Sequence, residues 1–281
     1  MLRGRIKRMK KQLKKIKFIK DRYDRFRISS IKQAIKQQNL KNILSVISAY
    51  PIENHYGTSI INTAYIWYKV KALHAFQVSL INEALKNEYG ANVDKIVDLG
   101  DSSGQHLLYT KELNNVLAIG RDRSYVGVNI DMGALKKIAD RGFRAIYYNI
   151  EEAIFKYENF ADADYVFMFE TLEHLNNPGT VLRKIKEDIN PKALIITVPF
   201  VRGSRVGIEK TVEGKNNLTP EDVHIFELSP KDWGQLFTYA EWTIDYEQVY
   251  YQYKRNLMTN WFWRWYWEYF DYEGFIGYVL K

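Results

Sequence analysis

A chain of 281 residues with 46% hydrophobic content can bury a substantial core, as one large domain or one domain with an appendage. It has no cysteine, which excludes disulfides, zinc–thiolate centres, iron–sulfur clusters and a cysteine nucleophile. Its net charge of +8 is unevenly spread: residues 1–37 hold 15 Lys/Arg and two acids, Asp21 and Asp24, so this tail stands at +13 and the remainder at −5.

In the tail, Ile6, Met9, Leu13, Ile16 and Ile19 recur at helical spacing, so a helix there carries one apolar stripe on a Lys/Arg surface. Such a stripe can pack on the body or on a second copy in a homo-oligomer, or lie on an anionic membrane surface; nucleic acid is a weaker match. A transit peptide would be Arg- and Ser-rich, whereas this stretch is Lys-rich with no Ser before Ser29. No apolar run approaches the roughly 18–20 residues of a membrane span, and no apolar stretch of a secretory signal follows the first basic residues. The expected location is cytoplasmic, with peripheral attachment at the inner face of the membrane if the tail binds lipid. We divide the chain into a basic amphipathic helical tail (1–37), a helical N-terminal region (38–90) and an α/β domain (91–281).

A helical pattern runs over 31–50, and the segment 50–57 breaks it with Pro51 and Gly57. Residues 58–88 form a long, mostly apolar helical region with Trp67, Leu73, Phe76 and Leu80, in which His74 reads as structural. His55, in the loop, has no clear role. Strands then follow at about 95–100, 124–130, 144–150, 163–170 and 193–199, with helices near 105–114, 132–141 and 178–189. This alternation predicts an α/β fold with a doubly wound sheet. Ser229-Pro230 caps a helix to about Tyr239, 242–253 is strand-like, and 274–280 is a final strand. The stretch 261–270 holds four of the seven tryptophans, which suits packing on the domain, stacking on a sugar or a lipid interface.

The most informative stretch is Lys95-Ile-Val-Asp-Leu-Gly-Asp-Ser-Ser-Gly-Gln-His106. A β-branched run ends in Asp98, two glycines bracket a turn, and apolar residues then open a helix. A strand, a turn and a helix N-terminus place backbone N–H groups beside a strand end, which suits an anionic or carboxylate-bearing ligand.

From about Lys95 onward the order of motifs resembles the class I S-adenosylmethionine-dependent methyltransferases, a Rossmann-like fold built on a seven-stranded sheet. The residues that carry the resemblance are Val97-Asp-Leu-Gly-Asp-Ser-Ser-Gly104, Val126-Gly-Val-Asn-Ile-Asp131, Asn149-Ile150, Asp164-Tyr-Val-Phe-Met-Phe-Glu-Thr-Leu-Glu-His-Leu175 and Ala193-Leu-Ile-Ile-Thr-Val-Pro-Phe200. The resemblance implies S-adenosylmethionine as cofactor. Asp98, Gly100, Asp101, Ser102 and Gly104 would hold its methionine end, Asn129 its ribose, and Asn149 its adenine. Ile130 and Ile150 would be apolar neighbours, and Glu170 would lie near the methyl group. Asn stands at 129 and 149 where the family has an acid, and Ser102 where a glycine is common; an amide accepts as a neutral group, so weaker cofactor binding is expected.

Glu170, Glu173 and His174 leave the fourth strand, and His224 follows the fifth on the same rim. In one reading His174 or His224 is the general base that takes a hydroxyl proton, with Glu173 orienting the ring. In another, Glu170, Glu173, His174 and His224 hold a divalent metal, as matching residues do in the small-RNA 3′-terminal 2′-O-methyltransferases and ubiquinone-pathway O-methyltransferases that this spacing resembles. The cluster can equally be a plain helix start. No Asn/Asp-Pro-Pro-aromatic motif follows the fourth strand, and attack through a cysteine is excluded, so an oxygen acceptor is expected. The expected function is methylation of a hydroxyl on a glycan, a lipid-linked saccharide or another small molecule. An RNA 2′-O-methyltransferase and an inactive cofactor-binding partner subunit are the alternatives. A nicotinamide enzyme is disfavoured, since the turn lacks the third glycine of the dinucleotide fingerprint.

Overall fold

A computed structural model describes residues 17–52, 63–86, 95–116, 124–151, 160, 162–207, 223–255 and 273–281. The apolar stripe at Ile6–Ile16, His55 and the aromatic stretch 261–270 lie outside the described residues. Helices α1 (Lys17–Gln37), α2 (Lys41–Ile47) and α3 (Ala64–Leu85) precede strand β1 (Lys95–Leu99). Then come α4 (Gln105–Val116), β2 (Ser124–Asn129), α5 (Met132–Asp140), β3 (Arg144–Tyr147) and β4 (Tyr165–Phe169). A 3₁₀ turn (Leu172–His174), α6 (Pro178–Lys184), β5 (Ala193–Phe200), β6 (Arg205–Val206), β7 (Phe226–Glu227), α7 (Pro230–Tyr239), β8 (Ile244–Tyr251) and β9 (Gly274–Leu280) follow among the described residues.

Seven strands form one sheet in the order β3-β2-β1-β4-β5-β9-β8. Strands β1 to β5 pair in parallel, and β9 runs antiparallel to both β5 and β8. The chain enters at β1, winds outward to β3, and crosses back to β4. Strand order therefore reverses between β1 and β4, and the carboxyl ends of these strands are where open α/β sheets bind ligands.

Strands β1, β4 and β5 are buried along their whole length, as parallel strands covered on both faces must be, which is why they read as unbroken apolar runs. Alternate residues feed two cores. Val97, Val166, Met168 and Ile196 pack with Trp233 and Phe237 of α7. Ile96, Phe167, Ile195 and Val279 pack with Ile31 and Ile35 of α1 and with Phe76 and Leu80 of α3. The N-terminal helices thus share a core with the sheet. Phe76 is fully buried and stacks on Tyr250 of β8 at 5.3 Å. Phe76→Ala should lower unfolding free energy by about 3–5 kcal/mol in urea titration, since it opens a cavity between α3 and the sheet; a loss below about 1 kcal/mol would contradict that packing.

Some elements differ from the sequence expectation. The continuous helix expected over 31–50 is two helices, because Asn39 takes a left-handed conformation (φ 58°). The Gln38 side chain at that break donates to the Tyr251 carbonyl and accepts from the Tyr251 N–H, which docks it on β8. The helix after β4 winds into a π turn over Ile185–Ile189 and ends at left-handed Asn190. The two-stranded ladder of β6 and β7 was not anticipated; each strand is two residues long, too short for a periodic signal.

Candidate active site

The turn after β1 is built by Gly100, whose φ of 86° strains any other residue and where a Cβ would lie 2.3 Å from the Thr171 Oγ1. Gly100 donates its N–H to the Val128 carbonyl, so the turn is tied to β2. Asp98, 2% exposed, has an Oδ2 without a hydrogen-bond partner, and the nearest cation candidate is the His106 Nδ1 at 3.8 Å. Burial, and after it the neighbouring Asp101, hold the Asp98 carboxyl well above the usual carboxylate range.

Asp101 turns inward as well. Its Oδ1 accepts the N–H groups of Ser103 (2.9 Å) and Gly104 (2.6 Å), capping the start of α4, while its Oδ2 is buried without a hydrogen-bond partner. Burial pushes its pKa up to about 6, against the pull of those two N–H groups and of Arg141. Two of the turn's N–H groups are therefore held by Asp101, and the turn presents buried acid as well as backbone donors. Half-buried Ser102 and buried Gly104 complete it.

At the tip of β2, Asn129 donates to the Asp101 carbonyl (3.0 Å) and accepts from the Asp131 N–H (2.8 Å). Asn129 thus braces the turn from the side. Asp131 caps α5 by accepting the Ala134 N–H. After β3, the Asn149 side-chain oxygen accepts from the Glu151 N–H. Ile130 is exposed and Ile150 buried.

The end of β4 is equally crowded with acid. Glu170 takes a left-handed conformation (φ 52°), and its N–H donates to the Thr197 carbonyl of β5. Burial pushes its pKa up to about 8, although the Thr197 hydroxyl and Lys69 both pull it down. Glu173 is fully buried on the 3₁₀ turn, with neither carboxylate oxygen hydrogen-bonded. Burial first, then Glu170 and Glu227, hold it well above the usual range.

His174 donates its Nδ1–H to the Val223 carbonyl (2.8 Å), so the neutral ring carries its lone pair on Nε2. His224 sets its Nδ1 3.0 Å from the Glu227 Oε1, and the two imidazoles meet edge to face at 4.9 Å. Glu227 is held below the usual range: burial raises it, but His224 and the Arg205 guanidinium (2.5 Å) outweigh that. The Ile225 N–H donates to the Glu173 carbonyl, which docks this segment on the 3₁₀ turn. One ligand atom each from Glu173, His174 and His224 falls within a 4.8 Å group. Glu170, expected with them, lies outside that group, with its N–H donating to the Thr197 carbonyl.

Four residues of the site carried no assigned role in the sequence: Gln77, His106, Thr197 and Glu227. Gln77 of α3 donates to the Thr197 Oγ1 (3.0 Å) and accepts from the His106 Nε2 (2.8 Å). The only sequence signals were local: His106 closes the stretch of the glycine turn, and Glu227 follows His224 by three residues.

No protein-family model and no curated protein matches the chain. Solved structures do match its fold. The cyclase SpnF aligns with a TM-score of 0.51 at 12% identity, over 86% of this chain and 92% of that one. A S-adenosylmethionine-dependent methyltransferase of Leishmania major aligns with a TM-score of 0.50 at 11% identity, over 86% and 82%. An O-methyltransferase from a polyketide synthase multienzyme of Brevibacillus brevis, solved with S-adenosylhomocysteine, aligns with a TM-score of 0.50 at 12% identity, over 76% and 73%. With its strand order, its single antiparallel strand β9 and its glycine turn after β1, the chain has the Rossmann-like fold of the class I S-adenosylmethionine-dependent methyltransferases.

Proposed function

We propose that the protein is a S-adenosylmethionine-dependent O-methyltransferase whose acceptor is a hydroxyl on a glycan, a lipid-linked saccharide or another small molecule. The fold alone leaves the chemistry open, since one matched structure is named a cyclase. The observation that carries the reading is the pair of buried acids at the glycine turn. Asp98 and Asp101 each keep one oxygen without a hydrogen-bond partner, and both are pushed toward the neutral form. A ligand that brings an ammonium group fits such oxygens, and S-adenosylmethionine has one at its methionine end. Asn129, Asn149, Ile130 and Ile150 would take its ribose and adenine.

When bound, the cofactor supplies an electrophilic methyl group; the chain's own part is to align the acceptor and take its proton. His224 is the better base. Its Nδ1–H faces the ionised Glu227, which stabilises the imidazolium formed when Nε2 accepts a proton, whereas His174 is backed by a neutral carbonyl. A second reading rests on the grouping of Glu173, His174 and His224. One carboxylate and two imidazoles suit a divalent transition metal, which would polarise the acceptor hydroxyl instead.

Calorimetry should show heat on titration with S-adenosylmethionine and with S-adenosylhomocysteine; no heat at millimolar ligand would overturn the cofactor assignment. Transfer of labelled methyl groups to saccharide pools rather than to RNA would support the acceptor class, and binding with no transfer to any pool would favour an inactive partner subunit. The basic tail would act separately, at an anionic membrane surface. In α1, Arg22, Arg25, Lys32 and Lys36 are exposed together with Phe26, which is 67% exposed. Flotation with anionic liposomes should fail when Arg22, Arg25, Lys32 and Lys36 are all changed to Glu, which leaves the buried Ile31 and Ile35 in place, and equal flotation of that variant would discard the role.

A further inference from the structure

The two acid clusters are joined through a residue outside the parallel sheet. Gln77, 1% exposed on α3, has the only kind of side chain that both donates and accepts at fixed atoms on one rigid plane. Its amide nitrogen donates to the Thr197 Oγ1, and the Thr197 carbonyl in turn accepts the Glu170 N–H. Its amide oxygen can only accept, so the His106 Nε2 must carry a hydrogen. The His106 Nδ1 then faces the Asp98 Oδ2 at 3.8 Å. His106 is also packed by the His74 ring at 5.0 Å and the Phe169 ring at 4.5 Å, which limit its rotation.

We propose that Gln77 is a positioning residue: it orients His106 against Asp98 and anchors Thr197, whose carbonyl holds the Glu170 N–H, so one hydrogen-bonded chain sets both the methionine end and the methyl end of the cofactor site. The second half of this inference rests on the methyltransferase reading; the first does not. Removing the amide has a different consequence at each end. At His106 the ring loses the acceptor that fixes its tautomer. At Thr197 the side chain loses its anchor on α3, which loosens the residue whose carbonyl holds the Glu170 N–H.

The test has two arms. In the ligand-free protein, two-bond ¹H–¹⁵N NMR of the imidazoles should give His106 the pattern of a ring protonated at Nε2. Gln77→Leu should lose that fixed pattern, and Gln77→Glu, which keeps an acceptor but cannot donate to Thr197, should restore it. Gln77→Met serves in place of leucine if that variant does not fold. In calorimetry, Gln77→Leu and His106→Gln should each weaken S-adenosylmethionine binding by about tenfold, and the double variant should lose little more, because both cut one chain. An unchanged His106 pattern in Gln77→Leu overturns the orientation, and additive losses in the double variant overturn the coupling. A wild-type protein that binds no S-adenosylmethionine overturns the methyltransferase reading and, with it, the cofactor half of this proposal; the NMR arm still decides the orientation of His106.

Discussion

Asp98→Asn should weaken S-adenosylmethionine binding by at least about 100-fold while raising the thermal stability of the ligand-free protein. The two effects have one cause. The Asp98 carboxyl is almost fully buried, its Oδ2 makes no hydrogen bond, and burial with the nearby Asp101 disfavours its charge. A group whose folded pKa lies above its unfolded value holds a proton that the unfolded chain has released, so it lowers stability progressively once pH exceeds about 3.9. Asparagine keeps the shape and removes that penalty, so the gain should be absent near pH 3 and present at pH 7. The same change removes the anion that a ligand ammonium would meet. Breaking a buried charge pair from one side costs about 3–5 kcal/mol, which is two or more orders of magnitude in affinity. Calorimetry at pH 7 and melting curves at pH 3 and 7 check both halves. Affinity within tenfold of wild type would remove Asp98 from the cofactor site.

What could be read along the chain was what is written locally. The buried strands β1, β4 and β5 are apolar runs, Ser229-Pro230 is a helix start, and the glycine turn with its following helix is contiguous. The site's hydrogen bonds are mostly not contiguous. Gln77 lies in a helix whose buried residues are mostly apolar, and its meaning comes from Thr197, 120 residues away in sequence. Asn129 reads as a ligand contact by its place at a strand end, yet its amide also braces the Asp101 carbonyl, 28 residues earlier. The Glu170 to His174 stretch was legible as a cluster, but not its division into two parts. Left-handed Glu170 is held by its N–H on the Thr197 carbonyl, while Glu173 and His174 join His224. That division depends on backbone conformation at one non-glycine residue, which the sequence pattern does not mark.

Glu173→Gln should stabilise the ligand-free protein in a strongly pH-dependent way, by on the order of 3 kcal/mol at pH 8 and by nothing measurable at pH 4. Glu173 is fully buried with both oxygens unbonded, and burial, Glu170 and Glu227 all raise its pKa. Its partner Glu170 is pushed up to about 8. Both acids keep their protons in the folded chain after the unfolded chain has lost them, near pH 4.3. Stability of the wild type should therefore fall from about pH 4.5 upward, Glu170 contributing until about pH 8 and Glu173 until its own raised value is passed. One pH unit across that window costs about 1.4 kcal/mol per group. Such a cost, placed beside two histidines, fits a site that spends stability on function. The variant also separates the two readings of the cluster. If Glu173, His174 and His224 hold a divalent ion, Mn²⁺ should raise the melting temperature of the wild type at pH 8 and leave Glu173→Gln unmoved, because the ion replaces the proton that the carboxylate otherwise needs. If His224 acts as a base without a metal, Mn²⁺ should shift neither protein, and chelation should leave methyl transfer intact. A Glu173→Gln protein no more stable than wild type at pH 8 would mean that Glu173 is ionised and paired in solution, and would take the buried neutral acid out of both readings.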